Sequence, residues 1–285
     1  MLDYTVYHTI AWPGAYSVYF FLIGISVAMF FFSAMSWFRE EFKPLRQSGF
    51  YLSFVLLILG GLLLISDLSQ PVRFLNMINP AYLKFDSPLA WGSLNLITFS
   101  LVSVVYFFLL HGRDEVNGKR VAVIGALLGL GLPIYTGFDL TVHQHRAVWN
   151  TPLMPILFVC LSFLSGSAVA SFLTQGNKKL QDILRHFMLW SGGATVAMLV
   201  SLLGTTAYGG TGAEITFMFM TSGTMGIIFI FIGMIIGLLV PIGLLLMPFG
   251  RKPVGMMTSG SLLLVGGLAL RYAILIGPQI VHTYY

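Results

Sequence analysis

The 285-residue chain is 57% hydrophobic and only 9% charged, against roughly 45–50% and 25% in soluble domains, which excludes a soluble globular protein. Its mean hydropathy of +0.87 is typical of a helical protein that crosses a membrane several times. The net charge of +5 is not gathered into basic clusters interleaved with aromatic residues, so no nucleic-acid partner is expected.

Stretches without charged residues predict eight membrane-spanning helices, since a helix needs about 20 apolar residues to cross a bilayer. We place them near residues 14–38, 47–66, 88–111, 121–139, 150–174, 186–206, 219–247 and 255–280. No lysine or arginine precedes the first apolar run, so we expect it to remain as a spanning helix rather than act as a cleaved signal peptide. The fourth helix is the shortest, with roughly 27 Å of uncharged length at 1.5 Å per residue. Asp139 therefore lies at the membrane boundary.

The distribution of lysine and arginine predicts the orientation. The loops after helices 1, 3, 5 and 7 hold 11 of these residues, and the loops after helices 2, 4 and 6 hold three. The positive-inside rule places the larger set in the cytoplasm. Both termini and the loops near 67–88, 139–150 and 207–218 are then expected to face outward.

Two similar runs of small residues indicate how the chain is organised. Residues 21–28 of helix 1 resemble residues 163–170 of helix 5, half the chain away. This spacing favours two four-helix halves, residues 1–142 and 143–285, with the same orientation. The alternative is that small residues recur wherever membrane helices pack closely.

Polar side chains suited to proton exchange gather near the outward ends of helices 1 and 4. Tyr16 and Tyr19 lie in helix 1, Tyr135 lies one turn before Asp139, and His143 follows in the loop. A tyrosine beside an acid at the edge of the membrane suits a small lipid-soluble molecule that exchanges protons. Tyr135 has the alternative role of an aromatic anchor at the membrane interface.

Two further charged residues have open interpretations. Asp67 ends helix 2, where its charge opposes the helix dipole. It either caps a short following helix or faces the bundle interior and transfers protons. Arg271 lies about nine residues inside helix 8, a depth at which an ionisable residue is a functional candidate. Its alternative is a structural cation paired with an acid of a neighbouring helix.

The residues available for metal binding argue against an internal redox centre. The single cysteine, Cys160, cannot hold an iron–sulfur cluster, which typically takes four thiolates. All six histidines lie in tails, in loops or at helix ends, so haem held by two facing histidines is not expected. His143 and His145, two residues apart without further ligands, do not indicate a metal site.

Six motifs follow one another in the order found in one family of membrane subunits. They are Tyr19–Gly24 in helix 1, Asp67–Phe74 after helix 2, Ser87–Gly92 opening helix 3, Tyr135–Gly137 ending helix 4, Trp149–Pro155 leading into helix 5, and Leu270–Gln279 in helix 8. On these motifs the protein resembles the NrfD/polysulfide reductase family of integral membrane subunits along nearly its whole length.

The resemblance implies a quinone- or quinol-binding membrane anchor in the cytoplasmic (inner) membrane of a bacterium or archaeon. Such a subunit oxidises quinol or reduces quinone within a complex of anaerobic respiration, and it carries no haem, iron–sulfur cluster or catalytic metal itself. It exchanges electrons between menaquinone or ubiquinone and a four-cluster iron–sulfur subunit on the outward, periplasmic face. That partner serves a molybdopterin subunit of the polysulfide, thiosulfate or tetrathionate type, or a multihaem one.

The resemblance also implies site residues. Tyr19 in helix 1 and Tyr135 at the end of helix 4 are expected to hold the quinone head group, and an acid on helix 2 corresponds to Asp67. Some relatives have histidine where this sequence has Tyr19, so Tyr16 is a second candidate. The predicted quinone-binding residues are Tyr16, Tyr19, Arg73, Tyr135 and His143, and the predicted proton-transfer residues are Asp67 and Asp139.

A secondary transporter of small solutes or ions is the alternative function. It would also have two halves and eight or more helices, but its broken helices and polar groups should lie near the middle of the membrane. Here the polar groups gather at the outward boundary, which favours the quinone-linked subunit.

Overall fold

The computed structural model describes residues 12–66, 87–112 and 114–280, together with Asn76 and Asn79. The described residues form helices and no strand. The first six spans are α1 (Ala15–Met35), α2 (Leu45–Ser66), α3 (Pro88–His111), α4 (Glu115–Thr141), α5 (Leu153–Leu173) and α6 (Lys178–Ala207). A shorter helix, α7 (Thr211–Thr221), precedes the seventh span. That span consists of α8 (Gly223–Gly226), a π-helix (Ile227–Leu239) and α9 (Val240–Leu246), and α10 (Pro253–Ile280) is the eighth.

The eight spans expected from the sequence are confirmed. Eight helices are long and apolar enough to cross a membrane. Apolar side chains on their outer faces are widely exposed, as on Leu101 (62%) and Phe108 (68%), and a bilayer would cover them. The chain is therefore an all-α, multi-pass membrane protein.

Two helix starts differ from the prediction because the length of an uncharged run does not include a charged first turn. α4 begins at Glu115 rather than near residue 121 and has 27 residues, so it is not the shortest span. The carboxylate of Asp114 caps it by accepting a hydrogen bond of 3.0 Å from the backbone N–H of Asn117. α6 begins at Lys178, where the side chain of Asn177 accepts from the backbone N–H of Leu180 at 3.2 Å. Capped polar turns thus extend both helices beyond their apolar length.

The loop expected near residues 207–218 is largely helical. α7 begins at Thr211, directly after Gly210, whose φ of +95° allows the backbone to turn sharply between α6 and α7. With 11 residues, α7 is too short to cross a bilayer, so apolar length alone does not predict it.

α1 and α5 occupy the centre of the bundle. α1 packs against α2, α4, α5 and α10, and α5 packs against α1, α4, α6 and α10. Their small-residue runs meet at Gly166, where a Cβ would clash with the Cβ of Ala28, and a Cβ on Gly24 would come within 2.5 Å of the Ser162 hydroxyl, just before the run in α5. The runs therefore serve close helix packing. The division into two four-helix halves stays a prediction.

The loops after spans 1, 3, 5 and 7 share one end of the bundle, which we call the basic face. Lys179, after span 5, forms an ion pair of 2.9 Å with Glu41, after span 1. At the opposite end, Trp12 contacts His143, with ring centres 4.9 Å apart, and its backbone N–H donates to the Gln279 side chain at 3.1 Å. That end holds the beginning of α1, the loop after α4 and the end of α10. Its outward orientation stays a prediction from the charge distribution.

Candidate functional site

The end of α4 opposite the basic face carries Tyr135 and Asp139 one turn apart, so both project from the same side of the helix. Tyr135 lies against α3 at Gly92. A Cβ on Gly92 would be 2.0 Å from the Cζ atom of the Tyr135 ring, so only glycine leaves room for the phenol there. The start of α3 thus fixes the position of the Tyr135 hydroxyl.

α1 brings two more tyrosines to the same place. The rings of Tyr16 and Tyr19 are perpendicular, with centres 6.5 Å apart. Tyr19 is 4% exposed, whereas Tyr16 is half-buried. Both hydroxyls and the Asp139 carboxylate lie within electrostatic range of Tyr135. Four of the predicted site residues therefore form one cluster, drawn from two helices.

The cluster has unused hydrogen-bonding capacity. Within the described part of the chain, the Tyr19 hydroxyl, the Tyr135 hydroxyl and the Asp139 carboxylate form no hydrogen bond. A polar group left without a hydrogen-bond partner in an apolar environment costs about 1–3 kcal/mol of stability. A ligand that offers carbonyl or hydroxyl oxygens would relieve that cost.

A cavity of about 490 Å³ opens beside Tyr135, between α3 and α4. Apolar side chains make up most of its wall, and Trp91 and Phe138 at its edge are 58% and 52% exposed on the face that would meet lipid. This volume falls within the range of roughly 300–1,000 Å³ typical of small-molecule sites. A lipid-soluble molecule could enter from the membrane and meet the Tyr135 hydroxyl.

Asn95 also lines the cavity, although it was not among the residues predicted from the sequence. Its amide lies against α4 at Gly131, where a Cβ would come within 2.5 Å of the Nδ2 atom. Among the described residues its side chain has no hydrogen-bond partner. The available signal was a lone asparagine within an otherwise apolar span, since polar groups at membrane depth are costly and often functional.

His143 lies next to the cluster but not in the cavity wall. Its Nδ1 atom is 3.1 Å from the backbone carbonyl of Asp139, and its ring packs edge-on against Trp12 and Trp149. Neighbouring His145 is exposed, and partial desolvation together with the charges of Arg146 and His143 lowers its pKa. The loop thus places His143 against the backbone of Asp139 and exposed His145 next to it, with the two ring centres 6.0 Å apart.

The later residues of the loop between α4 and α5 form two hydrogen bonds to the end of α10. Pro278 lacks the N–H that would satisfy the carbonyl of Ile274 one turn earlier in the helix. The indole N–H of Trp149 donates to that carbonyl instead, at 2.7 Å. Arg146 donates to the carbonyl of Pro278 itself. These two contacts give the second half of the polar stretch between the fourth and fifth spans a structural role.

Arg271 lies away from the cavity, fully buried between α10, α5 and α1. One terminal nitrogen donates to the Gly267 carbonyl at 2.9 Å and to the Ser165 hydroxyl at 3.4 Å, and the guanidinium is 5.4 Å from the centre of the Phe21 ring. Its other nitrogens have no partner among the described residues, and no described acid pairs with it. The alternative interpretation, a structural cation paired with an acid of a neighbouring helix, finds no such acid among the described residues.

Asp67 and Arg73, predicted for proton transfer and quinone binding, lie outside the described residues. Both assignments stay predictions.

Comparisons with known proteins give matches along nearly the whole sequence. The family model described as "Polysulphide reductase, NrfD" matches residues 5–282. A polysulfide reductase protein of Wolinella succinogenes is 24% identical, and the match takes in 96% of each sequence. The NrfD homolog of Haemophilus influenzae is 26% identical over 85% of this sequence and 86% of its own. A tetrathionate reductase subunit of Salmonella typhimurium is 27% identical over 64% of this sequence and 56% of its own. These matches confirm the resemblance that the sequence motifs indicated.

Proposed function

Because the chain belongs to the polysulphide reductase, NrfD family, we propose that it is the quinone-reactive membrane subunit of a respiratory oxidoreductase complex. It resides in the cytoplasmic membrane of a bacterium or archaeon and exchanges electrons between the quinone pool and an iron–sulfur subunit on the outward face. Relatives named as parts of polysulfide and tetrathionate reductases support the assignment to a reductase complex.

The observation that carries the proposal is the juxtaposition of the lipid-facing cavity with unpaired polar groups. A quinone has a flat apolar ring with two oxygens and an apolar tail, so it needs an apolar slot with hydrogen-bonding groups. The cavity between α3 and α4 has apolar walls and two polar side chains, Asn95 and Tyr135. Tyr135 then binds one head-group oxygen, while Asn95 or Tyr19 is available for the other.

Asp139 accepts protons in this proposal. When bound, a quinol supplies two electrons and two protons. The Asp139 carboxylate lies one turn beyond Tyr135, and His143 contacts the backbone of that same turn. A proton taken from the site can therefore pass from Asp139 toward the loop imidazoles and water. The partner subunit would dock on this face, because electrons must leave from the end of the bundle that binds the head group.

The test is Tyr135→Phe in the complete complex, since this change keeps the ring and removes only the hydroxyl. Quinol-linked turnover should fall about tenfold or more if the lost hydrogen bond contributes about 1.4 kcal/mol in the rate-limiting step. The partner subunits should still co-purify. Tyr208→Phe, at a tyrosine that is 92% exposed, is the matched control and should have no effect. Wild-type turnover and wild-type binding of a quinone analogue by Tyr135→Phe would rule out this site.

A further inference from the structure

A second cavity lies at the other end of the bundle, on the basic face. It has a volume of about 370 Å³ and is enclosed by the end of α5, the start of α6 and the start of α10. Neither the tyrosine cluster nor the proposed quinone chemistry uses it. Its wall combines basic side chains with an apolar surface.

Three cations line this cavity and one acid faces them. The cations are Lys178, Arg185 and Arg251, and the acid is Asp182. Within the described residues none of the three cations forms an ion pair. The ion pairs seen on the same face use other lysines. The cavity therefore has an excess of positive charge that the described protein does not neutralise.

Arg185 is a buried member of the cavity wall and is hydrogen-bonded to α9. It is 7% exposed, and its Nε atom donates to the Leu245 carbonyl in the last turn of α9 at 2.7 Å. Arg185 lines the cavity, and its two terminal nitrogens donate to no described residue. A guanidinium fixed in this way presents paired donors that match the oxygens of a phosphate group.

Two helix starts add to the attraction for an anion. α6 begins at Lys178 and α10 begins at Pro253, and the first turns of both helices contribute to the cavity wall. The free N–H groups and the positive dipole ends of long helices favour a negative charge at this position.

The rest of the wall indicates the kind of ligand. Met256 and Met257 continue the cavity along α10, and Met257 is 42% exposed on the surface that would meet lipid. Arg185 is seven residues inside α6, about 10 Å from its start, which is close to the depth of lipid head groups. A phosphate with an attached apolar chain fits both parts of the cavity, whereas a free phosphate would leave the methionine wall unused.

We propose that this cavity binds the phosphate of an anionic membrane lipid. Lys178, Arg185 and Arg251 hold the phosphate, and an acyl chain lies along Met256 and Met257. Basic pockets between helices on the cytoplasmic side of membrane proteins suit such head groups. The site anchors the seventh and eighth spans to α6 at the membrane surface.

Native mass spectrometry on the delipidated full-length protein tests the proposal. Phosphatidylglycerol, phosphatidylcholine and inorganic phosphate are titrated separately. We expect one saturable phosphatidylglycerol per protein and at least tenfold weaker retention of phosphatidylcholine. The double variant Lys178→Gln/Arg251→Gln should bind phosphatidylglycerol about 25-fold more weakly, at about fivefold for each charge removed. Both residues are exposed, so the fold should survive.

The matched control is Lys119→Gln/Arg120→Gln, which removes the same charge from exposed positions on the same face but outside the cavity. It should leave phosphatidylglycerol binding unchanged, and Asp182→Asn should strengthen it. Equal losses in both double variants, or equal retention of the two lipids, would overturn the proposal. Inorganic phosphate that binds as tightly as phosphatidylglycerol would show a free-phosphate site and refute the lipid assignment.

Discussion

The contact between Gly92 and Tyr135 gives the sharpest test of the site geometry. In Gly92→Ala, the new Cβ would lie 2.0 Å from the ring Cζ of Tyr135 and 2.2 Å from both Cε atoms. Carbon atoms in contact prefer separations of about 3.5–4.0 Å, so the ring must withdraw by roughly 1.5 Å. The clash falls on the end of the ring that carries the hydroxyl, so the hydrogen-bonding group itself is displaced.

The expected effect is large on turnover and small on stability. A misplacement of about 1 Å in a reacting group can cost about 10²-fold, so quinol-linked turnover should fall by about that factor. Overpacking costs about 1–3 kcal/mol, but alanine in a helix interior recovers up to about 1 kcal/mol relative to glycine. The melting temperature should therefore change only modestly.

Turnover, quinone-analogue binding and melting temperature of the purified complex would be measured together. Gly61→Ala in α2 is the matched control, because a Cβ there meets nothing within 4 Å. If Gly92→Ala acts through the phenol, it should cause no further loss in a Tyr135→Ala background. A full additional loss in that background, or wild-type turnover in the single variant, would refute the reasoning.

Two other predictions concern the stability of the helix bundle and its orientation in the membrane. Trp149→Phe removes the N–H that donates to the Ile274 carbonyl, and Pro278 leaves that carbonyl without a helical partner, so the protein should be destabilised by about 1–3 kcal/mol. Thermal unfolding measures this change, and Trp190→Phe, at an exposed tryptophan, is the control. A reporter active only in the cytoplasm should work when fused after Gly112 and be silent at the C-terminus. The reason is that 11 basic residues lie in the loops and helix ends of the basic face, whereas three lie in the loops of the opposite end. The reverse reporter pattern would invert the assigned orientation.

Much of this architecture follows from the sequence for a physical reason. A spanning segment must satisfy its backbone hydrogen bonds internally, so an uncharged run of about 20 residues specifies a helix almost independently of its neighbours. Tyr135 and Asp139 could be placed together because they are four residues apart on one helix. Motif order then indicated the family, which the family model confirms.

Helix ends and short helices were harder to predict, since they depend on caps rather than on hydrophobicity. Asp114 and Asn177 extend α4 and α6 through charged turns that an apolar count treats as loop. α7 has neither the length nor the charge-free run of a span.

Only the tertiary structure decided which helices meet, because those contacts join residues far apart in the sequence. Gly92 beneath Tyr135, Asn95 in the cavity wall and Trp149 beneath the proline of α10 are all pairings between different helices or between a helix and a distant loop. The buried surroundings of Arg271 and the basic cavity around Arg185 arise in the same way. In a membrane, apolar side chains face lipid and protein alike, so hydrophobicity does not reveal which face of a helix is buried. Which face is buried depends instead on where small residues let helices approach closely and where buried polar and charged groups lie. The same contacts determine the shape of both cavities.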